Sequence, residues 1–414
     1  MPSARRDVPV LSPCECSVPF STITANWPLL LGMGVLMLGA GLQSTLLGLR
    51  ATLEGFPSLV TGVIMSCYYV GYVLGTVVAP PLLRQVGHIR VFAALAAIAS
   101  VAILVQGCFV NPAAWGAMRL VSGLCFAGIY VVAESWLHDR ASRANRGRLF
   151  AVYMLILYVG LGAAQFLLIV SNPLTPTPFM LVSVLISLAM VPIVASAQQL
   201  PERALPRKVH LPELYRNSPL GVAGVTVSGL ISAIIFSMGP VYARLSGLDT
   251  TNVATFMAAS ILAAVVTQYP VGRLSDRIDR RTVIAGVCAL ATLVAGSIVA
   301  FPGMPHGAFL TLAASFSGLV LTLYSLSVSH VNDKLEPAQM VAASSALLLL
   351  NGSAAAIGPL LAGSLIEAFG PPAYFATLAT LTGALAVYDL WRKSRRRPVP
   401  PSQKGPFIRA QPRA

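Results

Sequence analysis

Apolar residues run in long blocks along this chain, and short polar segments interrupt them at nearly regular intervals. Blocks of membrane-crossing length occupy 27–48, 58–83, 91–110, 115–137, 149–170, 178–195, 220–245, 253–272, 282–301, 306–331, 340–369 and 372–390. A bilayer core of ~30 Å takes roughly 20 apolar residues of helix per crossing, so the pattern predicts an all-α membrane protein with twelve transmembrane helices. The longest internal polar stretch, 196–219, divides the blocks six and six. The predicted organisation is an arm 1–26, a six-helix bundle 27–195, a central loop 196–219, a second six-helix bundle 220–390 and a basic tail 391–414. Composition agrees. Hydrophobic residues make up 56% and charged ones 10%, too little charge for the surface of a soluble protein of this length.

Charge then sets the expected orientation. Of 28 Lys and Arg, 25 fall on one side of the predicted spans: in the arm, in loops two–three, four–five, eight–nine and ten–eleven, in the central loop and in the tail. Only Arg50 and Arg244 fall on the other side, and Arg119 lies inside a span. The positive-inside rule therefore predicts both termini on the cytoplasmic side of the cell membrane. The net charge of +14 is mostly this topology signal, and nucleic acid is not an expected partner. Trp391-Arg392-Lys393-Ser394-Arg395 directly follows a span, where a basic tail meets anionic lipid head groups. No cleavable secretory signal is expected, because the first apolar block is long enough to remain as a span. Both ends, Pro-containing and polar, read as disordered. Cys14-x-Cys16 without a second pair is weak as a metal motif, and no metal or other cofactor is expected. Cys67, Cys108, Cys125 and Cys288 read as packing residues within spans.

The halves echo one another. Loop two–three reads Leu83-Arg84-Gln85-Val86-Gly87-His88-Ile89-Arg90, and loop eight–nine reads Gly272-Arg273-Leu274-Ser275-Asp276-Arg277-Ile278-Asp279-Arg280-Arg281. Transporters are often two such repeated bundles with the solute site between them at mid-depth. The second loop resembles the signature of the major facilitator superfamily in Gly272, Leu274, Asp276, Arg280 and Arg281, departing at Asp279, where the family usually has Gly. Loop two–three is a weaker copy in which Gly87 fits and Arg84 stands in place of the acid. Arg119-Leu-Val-Ser-Gly123 followed by Ala127 is similar to a second signature of that family. Within the superfamily the chain resembles the YcaD-type branch, in Val-Ala-Glu134-Ser, in Asn145-Arg146-Gly147-Arg148-Leu and in Leu323-Tyr324.

The resemblance implies two pseudo-symmetric six-helix bundles and alternating-access transport by an expected monomer, with proton coupling. It names no substrate; a small neutral or anionic organic solute is expected because no Asp or Glu appears mid-membrane to bind a cation. Efflux of drugs or toxic compounds is the alternative within the same class. A membrane-embedded enzyme is disfavoured, since no cluster of His, Asp, Cys or Ser appears at depth.

Arg119 is the one basic residue inside a span, and such a charge faces a cavity or a partner. The resemblance places its face of span four on the central cleft. A solute anion, a coupled group, or backbone carbonyls of a neighbouring helix would each account for it. Glu134, ~22 Å along the same helix, reads as a gate residue beside Arg146 and Arg148, or as a solvated helix end. Asp276 by resemblance contacts the N-terminus of span eleven, with Gly272, Arg280 and Arg281 completing that gate and Arg84 weakening its counterpart; the loops alternatively only anchor topology. Gln43, Tyr69, Gln165, Ser228, Ser232, Tyr324 and Asn351 are the neutral candidates for solute contact. Gln268 is a further polar residue of span eight. The stripe Gly318, Thr322, Ser325 and Ser329 on span ten reads as helix packing before solute contact.

Overall fold

The computed structural model describes residues 26–140, 146–195, 214–216, 218–335 and 337–393. The readings above for the arm, most of the central loop and most of the tail, including Cys14 and Cys16, fall outside these residues. Among the described residues, twelve helices are long and apolar enough to cross a membrane. Numbered in chain order, they are span one Trp27–Leu53, two Ser58–Val86, three His88–Cys108, four Pro112–Arg140, five Arg146–Ala163 and six Thr177–Ala195. The second half continues with seven Pro219–Leu245, eight Thr250–Arg277, nine Arg280–Ala300, ten His306–Val320 plus Leu323–Asn332, eleven Pro337–Phe369 and twelve Ala373–Lys393.

They form two six-helix bundles. In the first, span four packs on two and three, and span six on one and three; in the second, ten packs on eight, twelve on nine and eleven on seven. The bundles face each other through spans two against eleven, one against seven and five against eight. Antiparallel neighbours give the molecule an arginine-rich end, carrying Arg84, Arg273 and Arg280, and a charge-poor end, carrying Arg50 and Arg244.

Local sequence explains the helix boundaries. Proline enters the first turn of spans one and seven, where its missing N–H costs nothing. Asp249 caps span eight through Asn252 N, and Asp279 caps span nine through Arg281 N. The departure from the family pattern at Asp279 is thus a helix N-cap. Gly87 turns the chain between spans two and three at φ +89°, a conformation that glycine adopts without steric cost.

The helices overrun or fall short of the apolar blocks by a few residues at several ends, and three of the departures have a visible cause. Span one runs past residue 48 to Leu53 because Arg50 is held in place: its guanidinium donates to Pro173 O at 2.7 Å and meets Glu54 at 2.6 Å. Span five tightens into a 3-10 turn over Ala164–Ile169. There Gln165 Nε2 donates to Leu161 O at 3.0 Å, so a side chain occupies the carbonyl an α-helix would use. Span ten is broken rather than continuous. Thr267 Oγ1 of span eight donates to Gly318 O at 2.7 Å, and Thr322 N turns to Leu319 O at 3.2 Å. A side chain inserted into the backbone ladder is a recognised cause of such a break.

Candidate functional site

Glycines let spans two and four meet backbone to backbone. A Cβ on Gly71 would overlap Leu120 O, one on Gly75 would overlap Leu124 O, and one on Gly123 would overlap Tyr68 O. The Arg119-side face of span four is therefore pressed against span two at Gly123 and, through Ala127, at Gly75. This close approach fixes the register that sets Arg119 over the Tyr68 ring, 4.3 Å from the guanidinium carbon to the centroid.

Arg119 is 1% exposed, and its Nε and Nη2 have no hydrogen-bond acceptor among the described residues. Tyrosines extend from it along span two. Tyr68 and Tyr69 meet edge to face at 5.3 Å, Tyr68 and Tyr72 lie 6.3 Å apart, and Tyr72 lies 6.3 Å from Tyr130 of span four. Tyr130 Oη reaches Met37 Sδ at 3.4 Å, and Tyr69 Oη accepts from Ser237 Oγ of the second bundle at 3.4 Å. A buried cation, an aromatic wall and the bundle interface are thus contiguous.

The other neutral candidates lie elsewhere. Gln43 Nε2 donates to Gln106 Oε1 at 3.4 Å and Ser122 Oγ at 3.5 Å, joining spans one, three and four. Gln165 accepts from Thr45 Oγ1 at 2.6 Å and donates to Gly41 O at 3.3 Å, fastening span five to span one. Asn351 Nδ2 donates to Val225 O at 3.0 Å and Ser228 Oγ at 3.3 Å, fastening span eleven to span seven. Spans five and eleven are repeat mates, as are one and seven, so each bundle carries an amide on the corresponding helix pair. Ser232 Oγ bonds its own helix at Gly229 O, 3.2 Å. Half-buried Tyr324, in the turn after the span-ten break, packs against the small apolar cluster that includes Val225, Val328 and Leu347. Gln268 Nε2 donates to Ser325 Oγ at 3.5 Å, and Gly318 abuts Thr267, so the small-residue stripe packs on span eight.

At the arginine-rich end, Arg280 is the hub. Its Nη1 donates to Asp333 Oδ1 and to Ser329 O, both at 2.8 Å, and its Nη2 to Asp276 Oδ1 at 3.1 Å. Asp333 is 2% exposed in its side chain and Asp276 45%. Asp276 is therefore tied through Arg280 to the end of span ten, whereas the resemblance implies the N-terminus of span eleven, whose first side chains are outside the described residues. Arg281 pairs with Asp279 at 3.1 Å, and buried Gly272 accepts from Ser275 Oγ through its carbonyl at 2.8 Å. Arg84 is exposed and Glu134 half-buried; His88 meets Ser135 Oγ at 3.1 Å beside Glu134. Arg146 and Arg148 open the helix of span five, and their side chains lie outside the described residues.

Two buried acids escaped the sequence reading. Asp333 sits next to Lys334 and so reads as loop, yet it is the inner partner of Arg280. Asp389, one turn inside the end of span twelve, is fully buried; an acid that near a basic tail gives no sign of burial.

At the charge-poor end the bundles are closely joined. Ser44 Oγ donates to Phe236 O at 3.0 Å, a Cβ on Gly48 would lie 3.2 Å from Ser237 O, and Ser58 N donates to Glu367 Oε2 at 2.7 Å. Gly358 and Pro359 of span eleven lie in this region. A Cβ on Gly358 would stand 2.6 Å from Leu230 O, and one on Gly62 2.5 Å from Pro359 O.

Two six-helix bundles meeting face to face, with a buried arginine inside the first of them, are the architecture of a polytopic membrane transporter. The Major Facilitator Superfamily profile matches residues 29–353 and 257–413, and the chain belongs to that superfamily. It is 29% identical over 331 residues to the Uncharacterized MFS-type transporter YcaD of Escherichia fergusonii, covering 79% of this chain and 85% of that one. It is 27% identical over 346 residues to the Uncharacterized MFS-type transporter Ent638_1421 of an Enterobacter species, covering 83% and 89%. Its fold is similar to that of the nucleoside transporter NupG, at TM-score 0.75 and 13% identity over 90% of this chain and 100% of that one. It is also similar to an inward-facing bacterial homologue of the human lysosomal transporter Spinster, at TM-score 0.70 and 14% identity over 91% and 96%.

Proposed function

We propose that the protein is a secondary transporter that moves a small neutral or anionic organic solute across the cytoplasmic membrane by alternating access, coupled to protons. With the arginine-rich end inside, the close packing at the charge-poor end is the outer gate, drawn here in its closed position.

The observation that carries the solute class is Arg119. Removing a cation from water costs several kcal/mol, and a desolvated cation–π contact returns about 2 kcal/mol. Tyr68 therefore leaves a deficit, and the two guanidinium nitrogens without acceptors are where an anionic or strongly accepting solute group would supply the rest. Arg119→Lys keeps charge and loses the planar fork; Arg119→Gln keeps some hydrogen bonding and loses charge. The test is solute-stimulated thermal shift across a metabolite library, followed by proteoliposome flux of the hit. Arg119→Gln is expected to abolish flux with an unchanged melting temperature, and Arg119→Lys to retain a part. Normal flux in Arg119→Gln overturns the reading.

A further inference from the structure

Span two begins without a cap of its own. Its N-cap residue is Pro57, which has no side-chain acceptor, and no side chain of that loop bonds the first turn. The first N–H groups of a helix have no intrahelical partner. Span eight, the repeat mate of span two, solves this locally, with Asp249 Oδ1 accepting from Asn252 N at 2.7 Å. In span two the acceptor comes from the opposite bundle: Ser58 N donates to Glu367 Oε2 at 2.7 Å.

We infer that Glu367 is the latch of the charge-poor gate, a carboxylate of the second bundle that caps span two and thereby sets how much of the protein is closed at that end. Pro359, Gly363 and Glu367 recur every four residues and so share one face of span eleven. That face meets Ser58 and Gly62, also four apart. A Cβ on Gly363 would lie 2.5 Å from Ser58 O, and one on Gly62 2.5 Å from Pro359 O. The two glycines bring the backbones close enough for the carboxylate to reach the helix terminus, and a carboxylate there also meets the positive end of the span-two dipole. The bond joins two bodies that must separate when the gate opens. Breaking it leaves Ser58 N without its cap, because the Pro57 loop offers no replacement. Opening therefore carries a penalty that span eight, capped within its own bundle, does not impose.

The inference rests on the alternating-access reading for its consequence, but its test uses no solute and so stands or fails separately from the role of Arg119. Val63 and Phe369 are both exposed, at 46% and 75%, on the two spans concerned. Spin labels at these positions, in the full chain with native cysteines replaced and held in lipid nanodiscs, report the separation of the bundles at this end. The parent protein is expected to give mainly the short distance. Glu367→Ala should raise the ratio of long to short distances roughly two- to thirty-fold, the range expected for loss of a helix cap. Glu367→Gln, which retains a neutral acceptor, should fall between. Gly363→Ala, which leaves the carboxylate in place and wedges the backbones apart, should also populate the long distance. A Glu367→Ala distribution that matches the parent overturns the latch, whether or not the melting temperature falls.

Discussion

Ser44 Oγ donates a 3.0 Å hydrogen bond to the carbonyl oxygen of Phe236, four residues before Pro240. Proline has no N–H, so in span seven that carbonyl has no donor of its own from the helix. The serine of span one supplies it from the other bundle. A missing donor in one helix has become a docking point for its neighbour, beside Gly48, where span one comes close to Ser237 O. The bond is local to the closed charge-poor end, and opening would return Phe236 O to water.

Ser44→Ala is expected to destabilise this conformation by about 1–3 kcal/mol, the cost of a buried acceptor left unsatisfied. Pro240→Ala restores the missing backbone donor. The two changes should therefore be non-additive: Ser44→Ala should lower the melting temperature less on the Pro240→Ala background than on the parent. Equal shifts on both backgrounds would show that Ser44 does not serve this carbonyl.

Arg280 binds two acids that differ in burial. Asp333 and Arg280 are both almost wholly buried, and removing one member of a buried pair costs roughly 3–5 kcal/mol. Asp276 is nearly half exposed, and a solvated pair is worth about 1 kcal/mol or less. Asp333→Asn is thus expected to lower thermal stability well beyond Asp276→Asn in parallel unfolding measurements in detergent. If Asp276→Asn proves the more damaging, the hub has been assigned to the wrong acid.

The sequence made the twelve spans and the six-plus-six division legible because lipid leaves an unambiguous signature: every crossing must be long, apolar and helical. Arg119 stood out for the same reason. What was not legible depends on partners remote in sequence. Gln43, Gln165 and Asn351 look alike as polar residues in apolar helices, and only packing shows that they bond neighbouring helices of their own bundle. The break in span ten arises from Thr267, some fifty residues away, acting on Gly318, and no proline marks it. The resemblance implied that the Arg119 face of span four lines the central cleft, but Gly123 and Ala127 on that face are spent on contact with span two.

That contact makes its own prediction. A methyl group at Gly123 would overlap the Tyr68 carbonyl, so Gly123→Ala must push spans two and four apart. Overpacking of this kind costs about 1–3 kcal/mol, and the displaced residue is the one beneath Arg119. Gly123→Ala is expected to lower both melting temperature and solute affinity, whereas Gly128→Ala, which meets only the flexible end of Leu95 on its nearest side, should spare affinity. Equal affinity loss in the two variants would detach the Arg119 region from solute binding.

Orientation decides which end is the outer gate, and it rests on the distribution of arginines. Translocating a loop that carries several cations is disfavoured, so loops two–three, four–five and eight–nine should stay inside. Gln85 is exposed in the last turn of span two, at the arginine-rich end, and Leu174, 46% exposed, in the charge-poor loop between spans five and six. Single cysteines at these sites, with exposed Cys108 and the other native thiols replaced, sample the two faces independently. In intact cells a membrane-impermeant maleimide is expected to label Leu174→Cys and to reach Gln85→Cys only after permeabilisation. The reverse pattern would turn the molecule over. The Ser44 and Glu367 contacts would then belong to the inner gate, while their effects on the distance between the bundles would stand unchanged.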